Sequence, residues 1–146
     1  MLRVASVGSG SKGNATLVAS GETTLLIDCG FPAREMLSRL DHLGVDVSDI
    51  AAILVTHEHS DHVGGVAAIA KAAGAPIYAT HGTLVSGRLD GARAVVEIES
   101  DSVFAIGDIE VSAITVPHDA KEPVQYVFKH AAQCVGVLTD LGMVSP

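Results

Sequence analysis

The stretch "AAILVTHEHSDH", residues 51–62, joins an unbroken apolar run to a polar cluster of three histidines and two acids. The run is short, contains branched side chains and stops at a threonine. These features predict a buried strand over "DIAAILVT", residues 49–56. A helix, "GGVAAIAKAAG", follows at residues 64–74 and ends at a glycine. The polar cluster therefore occupies a strand-to-helix turn.

His57, His59, Asp61 and His62 form the pattern H-x-H-x-D-H in this turn. Imidazole nitrogens and carboxylate oxygens are donors that suit Zn, Mn or Fe. His57 and His59 can chelate one ion, and Asp61 and His62 stand where they can face a second. The alternative is a solvated loop in which Ser60 or Asp61 caps the helix. We interpret the pattern as a metal site.

The rest of the chain reads as alternating strands and helices, then mainly strands. Short strands are expected in "LRVASV", "NATLVAS" and "TTLLID", and the apolar spacing of "AREMLSRLDHL", residues 33–43, predicts an amphipathic helix. "APIYAT" reads as a strand, "HGTLVSGRL" as a short helix, and the segments from "ARAVVEIES" to "CVGVLTD" as successive strands. With 48% apolar but only 3% aromatic residues, the core is aliphatic. We expect residues 1–146 to form one α/β domain, with mixed sheets and outer helices.

Two further polar residues follow apolar strands and are candidate ligands. His118 ends the run "ITVPHD" and Asp140 ends "GVLTDLG". Taken singly, His118 is typical of a solvated loop and Asp140 of a turn. Beside a first cluster of donors, both become candidates for the same metal centre.

These motifs, with "LLIDCG" around Asp28, resemble the metallo-β-lactamase superfamily of metallo-hydrolases. The resemblance implies an αββα sandwich of which this chain holds the N-terminal portion, the first half to two-thirds. It also implies two divalent metal ions, Zn or Mn first, with Fe as the alternative. His57, His59 and His118 would bind the first ion, Asp61 and His62 the second, and Asp140 both. Asp28 would orient the histidine turn, unless it is only a strand-end turn acid, and Asp61 would also orient or deprotonate the nucleophile.

The glycine-rich start, "GSGSKGN", is the second motif that bears on function. Gly8, Gly10 and Gly13 fit G-x-G-x-x-G, but strand and turn follow rather than the helix that a dinucleotide site needs. With "HDAKEPVQYVF" and "LTDLG", the motif is similar to the YycJ/WalJ (VicX) branch, whose members are regarded as DNA-processing exonucleases. Lys12 and Asn14 are candidates for contact with a phosphate, and His81 for the mouth of the site.

Composition places looser bounds on location and partners. The net charge of −8 disfavours a general nucleic-acid surface, although bound cations would cancel several acids locally. No apolar run is long enough for a membrane span, and "MLRVASVGSG" is not a signal peptide. Cys29 and Cys134 lie in apolar runs, so buried thiols in a cytoplasmic protein are expected. An oligomer is possible, and no membrane partner is expected.

Three functions stay open from the sequence. The first is a phosphodiesterase or exonuclease that cleaves DNA through a metal-bound hydroxide. The second is a hydrolase of thioesters, lactones or lactams, which uses the same ligand set. The third is a metal-binding fragment without activity of its own. A change of His59 or Asp61 to Ala is predicted to abolish metal-dependent hydrolysis.

Overall fold

Two β-sheets packed face to face form the centre of the molecule, as seen in a computed structural model. The structure describes residues 1–89, 92, 94–116 and 122–137. Helices cover the outer face of the first sheet. The described part of the chain therefore builds the layers α, β and β of the predicted sandwich.

The first sheet has six strands in chain order, antiparallel at its start and parallel from the third strand onward. The parallel strands end at one edge, so the loops that follow them lie together there. The strands are β1 (Arg3–Gly8), β2 (Ala15–Ala19), β3 (Thr24–Ile27), β4 (Ile50–Leu54), β5 (Ile77–Thr80) and β6 (Val95–Ile98).

The helices connect the parallel strands, as the crossover geometry of such strands requires. The first, α1, starts after Pro32 and stops before Gly44, which has a φ of 72°. The third, α3, ends at Gly74 in the left-handed conformation, where glycine carries no steric penalty. The helices are α1 (Ala33–His42), α2 (Ser60–Val63), α3 (Val66–Ala73) and α4 (His81–Val85), with a 3₁₀ turn at Val47–Asp49.

The second sheet is an antiparallel meander of four strands. Its side chains alternate between a buried and an exposed face, the pattern of a sheet covered on one side. Its strands are β7 (Ser102–Ile106), β8 (Ile109–Thr115), β9 (Val124–His130) and β10 (Gln133–Val137).

The apolar core has two parts, one on each side of the first sheet. Met36, Leu40 and Ile69 of the helices pack on one face of that sheet. Tyr126 and Phe128 of the second sheet pack on the other. Because the first sheet is buried on both faces, its parallel strands read as continuous apolar runs, and this is why "AAILV" shows no alternation.

Within the residues that the structure describes, every strand and helix predicted from the sequence is confirmed, with bounds that shift by a few residues. The glycine-rich start is followed by β2 and not by a helix, as expected. The prediction that both cysteines are buried is wrong for Cys134. Cys134 lies on β10, an edge strand, and its side chain points to the outer face of the second sheet.

Within the described ranges, no helix is long and apolar enough to cross a membrane.

Candidate metal centre

The histidine turn lies at the edge where the parallel strands end. Asp28 directly follows β3 and Thr56 follows β4 by two residues, while His81 opens α4 directly after β5. The strands β3, β4 and β5 are neighbours in the sheet, so these three positions share one edge. The fold thus brings together polar residues that are far apart in the sequence.

Asp28 is fully buried beneath the turn and bonds to it in three places. Its Oδ1 accepts a hydrogen bond from the Thr56 backbone N–H at 2.7 Å. Its Oδ2 accepts one from the Thr56 hydroxyl at 2.6 Å and lies 2.7 Å from Nδ1 of His62. A buried carboxylate with this many donors is well compensated.

These contacts fix which nitrogen of two histidines carries the hydrogen. An ionised carboxylate only accepts, so Nδ1 of His62 donates to Asp28 and its Nε2 carries the lone pair. The Thr56 hydroxyl hydrogen points to Asp28, so Oγ1 accepts from Nδ1 of His57, 2.9 Å away. Asp28 therefore sets the tautomer of His62 directly and that of His57 through Thr56. In both rings, Nε2 is the atom able to bind a cation.

The side chains of the turn converge. The ring centroids of His57 and His62 are 4.1 Å apart, and those of His57 and His59 are 4.7 Å apart. Asp61 Oδ2 lies 3.6 Å from Nε2 of His62. His57 and His62 are buried, whereas the Asp61 side chain is 26% exposed and faces solvent. Predicted donors for the two ions thus meet in one place.

Backbone contacts hold the turn against the loop after β3. The backbone N–H of Cys29 donates to the His62 carbonyl, and that of Gly65 to the Cys29 carbonyl, each at 2.8 Å. A Cβ at Gly30 would come within 1.9 Å of the Asp61 carbonyl oxygen, so this approach needs glycine. Burial raises the pKa of the Cys29 thiol to about 12, so Cys29 is a neutral thiol and a poor cation ligand at neutral pH.

The glycine-rich loop, residues 8–13, lies beside Asp61. Lys12 is exposed and lines a groove of about 430 Å³ with Asp61 and Ser60, which is compatible with its predicted role near a phosphate. Asn14, the other predicted phosphate contact, is buried and bonds to Asp61 instead of pointing outward. Sequence reasoning missed this contact, because a separation of 47 residues hides it.

His81 and Glu58 lie at the margin of the cluster. The His81 ring is exposed, with Nδ1 3.0 Å from a carboxylate oxygen of Glu97. Glu58 is partly buried, and the sequence pattern assigned it no ligand role.

His118 and Asp140 lie outside the described residues, but the segments that lead to them are placed. Val124 donates its backbone N–H to the Thr56 carbonyl at 3.0 Å, and the Val116 N–H donates to the Pro123 carbonyl at 3.4 Å. The described residues on either side of positions 117–121 are thus bonded to each other, and Val124 is bonded to the turn. The Tyr126 hydroxyl donates to the Val55 carbonyl at 2.7 Å, and burial raises the pKa of this phenol well above 10.

The four described candidates suit a transition metal by donor type and by proximity. Among the residues that the structure describes, however, no group of three or more His, Cys, Asp or Glu side chains is arranged to hold an ion by itself. The metal site therefore stays a prediction, in which His118 and Asp140 would add to the described donors.

Comparison with known proteins decides the family. The model of the metallo-beta-lactamase superfamily matches residues 8–130. The chain belongs to the metallo-β-lactamase superfamily. This confirms the fold and the resemblance inferred from H-x-H-x-D-H. Among solved structures, the Rm3 metallo-beta-lactamase aligns with a TM-score of 0.76 at 21% identity, covering 91% of this chain and 56% of that one.

The predicted likeness to one branch of the metallo-β-lactamase superfamily is also confirmed. Exodeoxyribonuclease YycJ of Bacillus anthracis is 33% identical over 143 residues, and exodeoxyribonuclease WalJ of Streptococcus pneumoniae is 33% identical over 144 residues. Each alignment covers 94% of this chain and 53% of the relative. The chain thus spans about half the length of these curated relatives.

Proposed function

We propose that this chain carries the dinuclear metal centre of a hydrolase that cleaves phosphodiester bonds in DNA. The observation that carries the proposal is the convergence of His57, His59, Asp61 and His62 above the buried carboxylate of Asp28. Superfamily membership implies divalent metal ions, and we expect zinc or manganese.

The roles proposed for the residues follow from their donors. His57 and His59, with His118, would hold one ion, and Asp61 with His62 the other, with Asp140 between the two. Two such ions, when bound, stabilise negative charge on phosphoryl oxygens and lower the pKa of a bound water.

The protein's own contribution is orientation. Asp28 and Thr56 keep the hydrogens of His57 and His62 on Nδ1, so both rings present Nε2. Asp61 is exposed to the groove that Lys12 lines, where its carboxylate would orient the attacking water or accept its proton. Lys12 would lie along the phosphate backbone of the substrate.

DNA is favoured as substrate by the similarity to two exodeoxyribonucleases along nearly the whole chain. The likeness to β-lactamases of solved structure supports the fold alone, so it does not favour a lactam. We therefore place a DNA phosphodiester before a thioester, lactone or lactam.

The test combines metal binding with cleavage. The chain is loaded with Mn²⁺ or Zn²⁺, bound metal is counted by mass spectrometry, and cleavage of end-labelled single- and double-stranded DNA is followed beside a thioester and a chromogenic lactam. We expect two ions per chain and products from DNA only. His59→Ala should lose metal and cleavage together. His42→Ala is the matched control, because His42 is exposed on α1 and its Nδ1 lies 2.8 Å from the Ser38 carbonyl of the same helix.

Each outcome has a defined meaning. Cleavage of the thioester or the lactam in place of DNA would replace the proposed substrate. Bound metal without any cleavage would leave a metal-binding role and contradict the hydrolase. A chain that binds no metal would refute the proposal as a whole.

A further inference from the structure

Asn14 is a buried hub between the glycine-rich loop and the histidine turn. Asn14 is only 8% exposed. Its backbone N–H donates to the Asp61 carbonyl at 2.7 Å, and its own carbonyl accepts from the Gly30 N–H at 3.0 Å. The side chain adds bonds to Gly10 within the loop and to Asp61 in the turn, so Asn14 joins three segments at one point.

The orientation of the Asn14 amide is determined by its neighbours. Oδ1 accepts from the Gly10 N–H at 3.1 Å. Nδ2 faces three oxygens, the Gly10 carbonyl at 2.9 Å, the Asp61 carbonyl at 3.1 Å and Asp61 Oδ2 at 3.2 Å. A flipped amide would turn an acceptor toward three acceptors, so Nδ2 must be the atom that faces the Asp61 carboxylate.

The carboxylate oxygen that Asn14 contacts is also the one nearest to His62. Asp61 Oδ2 and His62 Nε2 are 3.6 Å apart. Two ligands of one tetrahedral ion, each bonded at about 2.1 Å, are separated by roughly 3.4 Å. The Asp61–His62 spacing therefore suits a shared ion, and Asn14 donates to one of the two atoms that would bind it.

We propose that Asn14 is a positioning residue that holds the Asp61 carboxylate in the geometry needed to bind the second ion with His62. This inference rests on the proposed function. It assigns Asn14 a task different from the contact with a phosphate that its place after the glycine-rich loop suggests. It also assigns a role to the glycine-rich loop, because the loop places the Asn14 amide beside the Asp61 carboxylate.

The loop has a separate support that does not involve Asp61, and this provides a control. A Cβ at Gly8 or Gly13 would overlap the Phe31 ring, at 2.4 and 2.6 Å. The Arg39 guanidinium stacks on this ring, 4.0 Å from its centroid, and the Arg39 Nη1 donates to the Val7 carbonyl at 2.8 Å. Loosening Arg39 should disturb the loop while leaving the Asp61 carboxylate untouched.

The experiment compares Asn14→Asp, Asn14→Ala and Arg39→Met in the 146-residue chain. Asn14→Asp keeps the size and the acceptor for Gly10 but places an oxygen against the Asp61 carboxylate. Metal affinity is measured for each of two ions by competition with a chromophoric chelator, and the free energy of unfolding of the metal-free chains by urea denaturation. We expect affinity for the second ion to fall about 10- to 100-fold in both Asn14 variants, with affinity for the first ion unchanged. Arg39→Met should lower stability and leave both affinities as in the wild type.

The readings separate positioning from simple loop support. If the folded Asn14 variants bind the second ion as tightly as the wild type, or if Arg39→Met weakens it equally, the inference is overturned. If the wild type binds no metal, the proposed function fails first.

A measurement on the wild type covers the case in which the Asn14 variants do not fold. The side-chain amide signal of Asn14 in ¹⁵N-correlated NMR spectra should shift as the second equivalent of Zn²⁺ is added. A signal that stays in place up to saturation would overturn the inference.

Discussion

The two sheets of this molecule are built from similar apolar residues but serve different ends. In the first sheet, parallel strands finish at one edge, and Asp28, Thr56 and His81 follow three of them there. In the second sheet, antiparallel strands return on themselves, and its inner face supplies the large side chains Tyr126 and Phe128 to the shared core.

The difference shows that the direction of the strands decides whether a sheet can gather a site at one edge. Parallel strands direct successive loops to the same side, so polar residues far apart in sequence accumulate into a site. An antiparallel meander divides its loops between both ends. Its described strands here mainly cover the first sheet. They add two hydrogen bonds to the backbone at the turn, from Val124 to the Thr56 carbonyl and from Tyr126 to the Val55 carbonyl. Substitutions in the second sheet should therefore change stability, and those at the edge of the first should also change metal binding.

The largest loss of stability is expected from Phe128→Ala. Phe128 is fully buried between the sheets, opposite Val111 of β8 and Val135 of β10. Removing a buried phenyl group costs about 3–5 kcal/mol. Urea denaturation should show this loss, while the folded fraction keeps its metal affinity. If Phe128→Ala lowered metal affinity as much as a substitution in the histidine turn, the two sheets would not differ in the way described above.

A smaller loss of stability, with an effect on metal, is expected from Thr56→Val. The change leaves Asp28 and His57 without the hydroxyl that joins them. A lost buried hydrogen bond of this kind costs about 1–3 kcal/mol, and His57 is no longer held in the tautomer that presents Nε2. Metal affinity should fall together with stability. Thr56→Ser is the matched control, since it keeps the hydroxyl and should retain both properties near the wild type; an equal fall in affinity for Ser and Val would contradict the role of the hydroxyl.

Almost no change is expected from Val103→Ser. Val103 is 61% exposed on the outer face of the second sheet, in the row with Ser112 of β8. Surface substitutions of this kind usually stay within about 0.5 kcal/mol. Urea denaturation measures this change as well, and it compares an exposed side chain of the second sheet with the buried Phe128 on its opposite face. A cost near that of Phe128→Ala would mean that the outer face is covered in solution.

The smallest effect, which disappears in acid, is expected from Asp108→Asn. The Ser20 hydroxyl, 2.7 Å away, is the main cause of a pKa below 3.8 for Asp108, with further contributions from Thr23 and His130. A lowered pKa in the folded state adds stability above the unfolded value, and this is lost as the pH falls through the folded value. Urea midpoints of wild type and variant should therefore differ slightly at pH 7 and converge toward pH 2. A constant difference at all pH values would exclude the carboxylate as its cause.

The sequence predicted most of the fold because its patterns are local. The apolar run before His57 and the spacing of Met36 and Leu40 each report a buried face without reference to distant residues. The turn could be predicted for the same reason, since its donors lie within six positions.

Long-range pairing was not predictable in this way. The bonds from Asn14 to Asp61 and from Asp28 to His62 span 47 and 34 residues, and only the folded chain brings these groups together. The exposure of Cys134 was not predictable either, because the apolar segment "QCVGV" does not reveal which of its side chains point to the outer face of the sheet.

Asp28 has a φ of 62°, a conformation that only glycine, asparagine and aspartate adopt with ease. Backbone geometry thus favours these three amino acids at position 28 before any chemistry is considered. Of these, glycine has no side chain, and asparagine would present a donor where only acceptors fit. Aspartate at position 28 therefore meets the requirement of the backbone and that of the surrounding hydrogen-bond donors together.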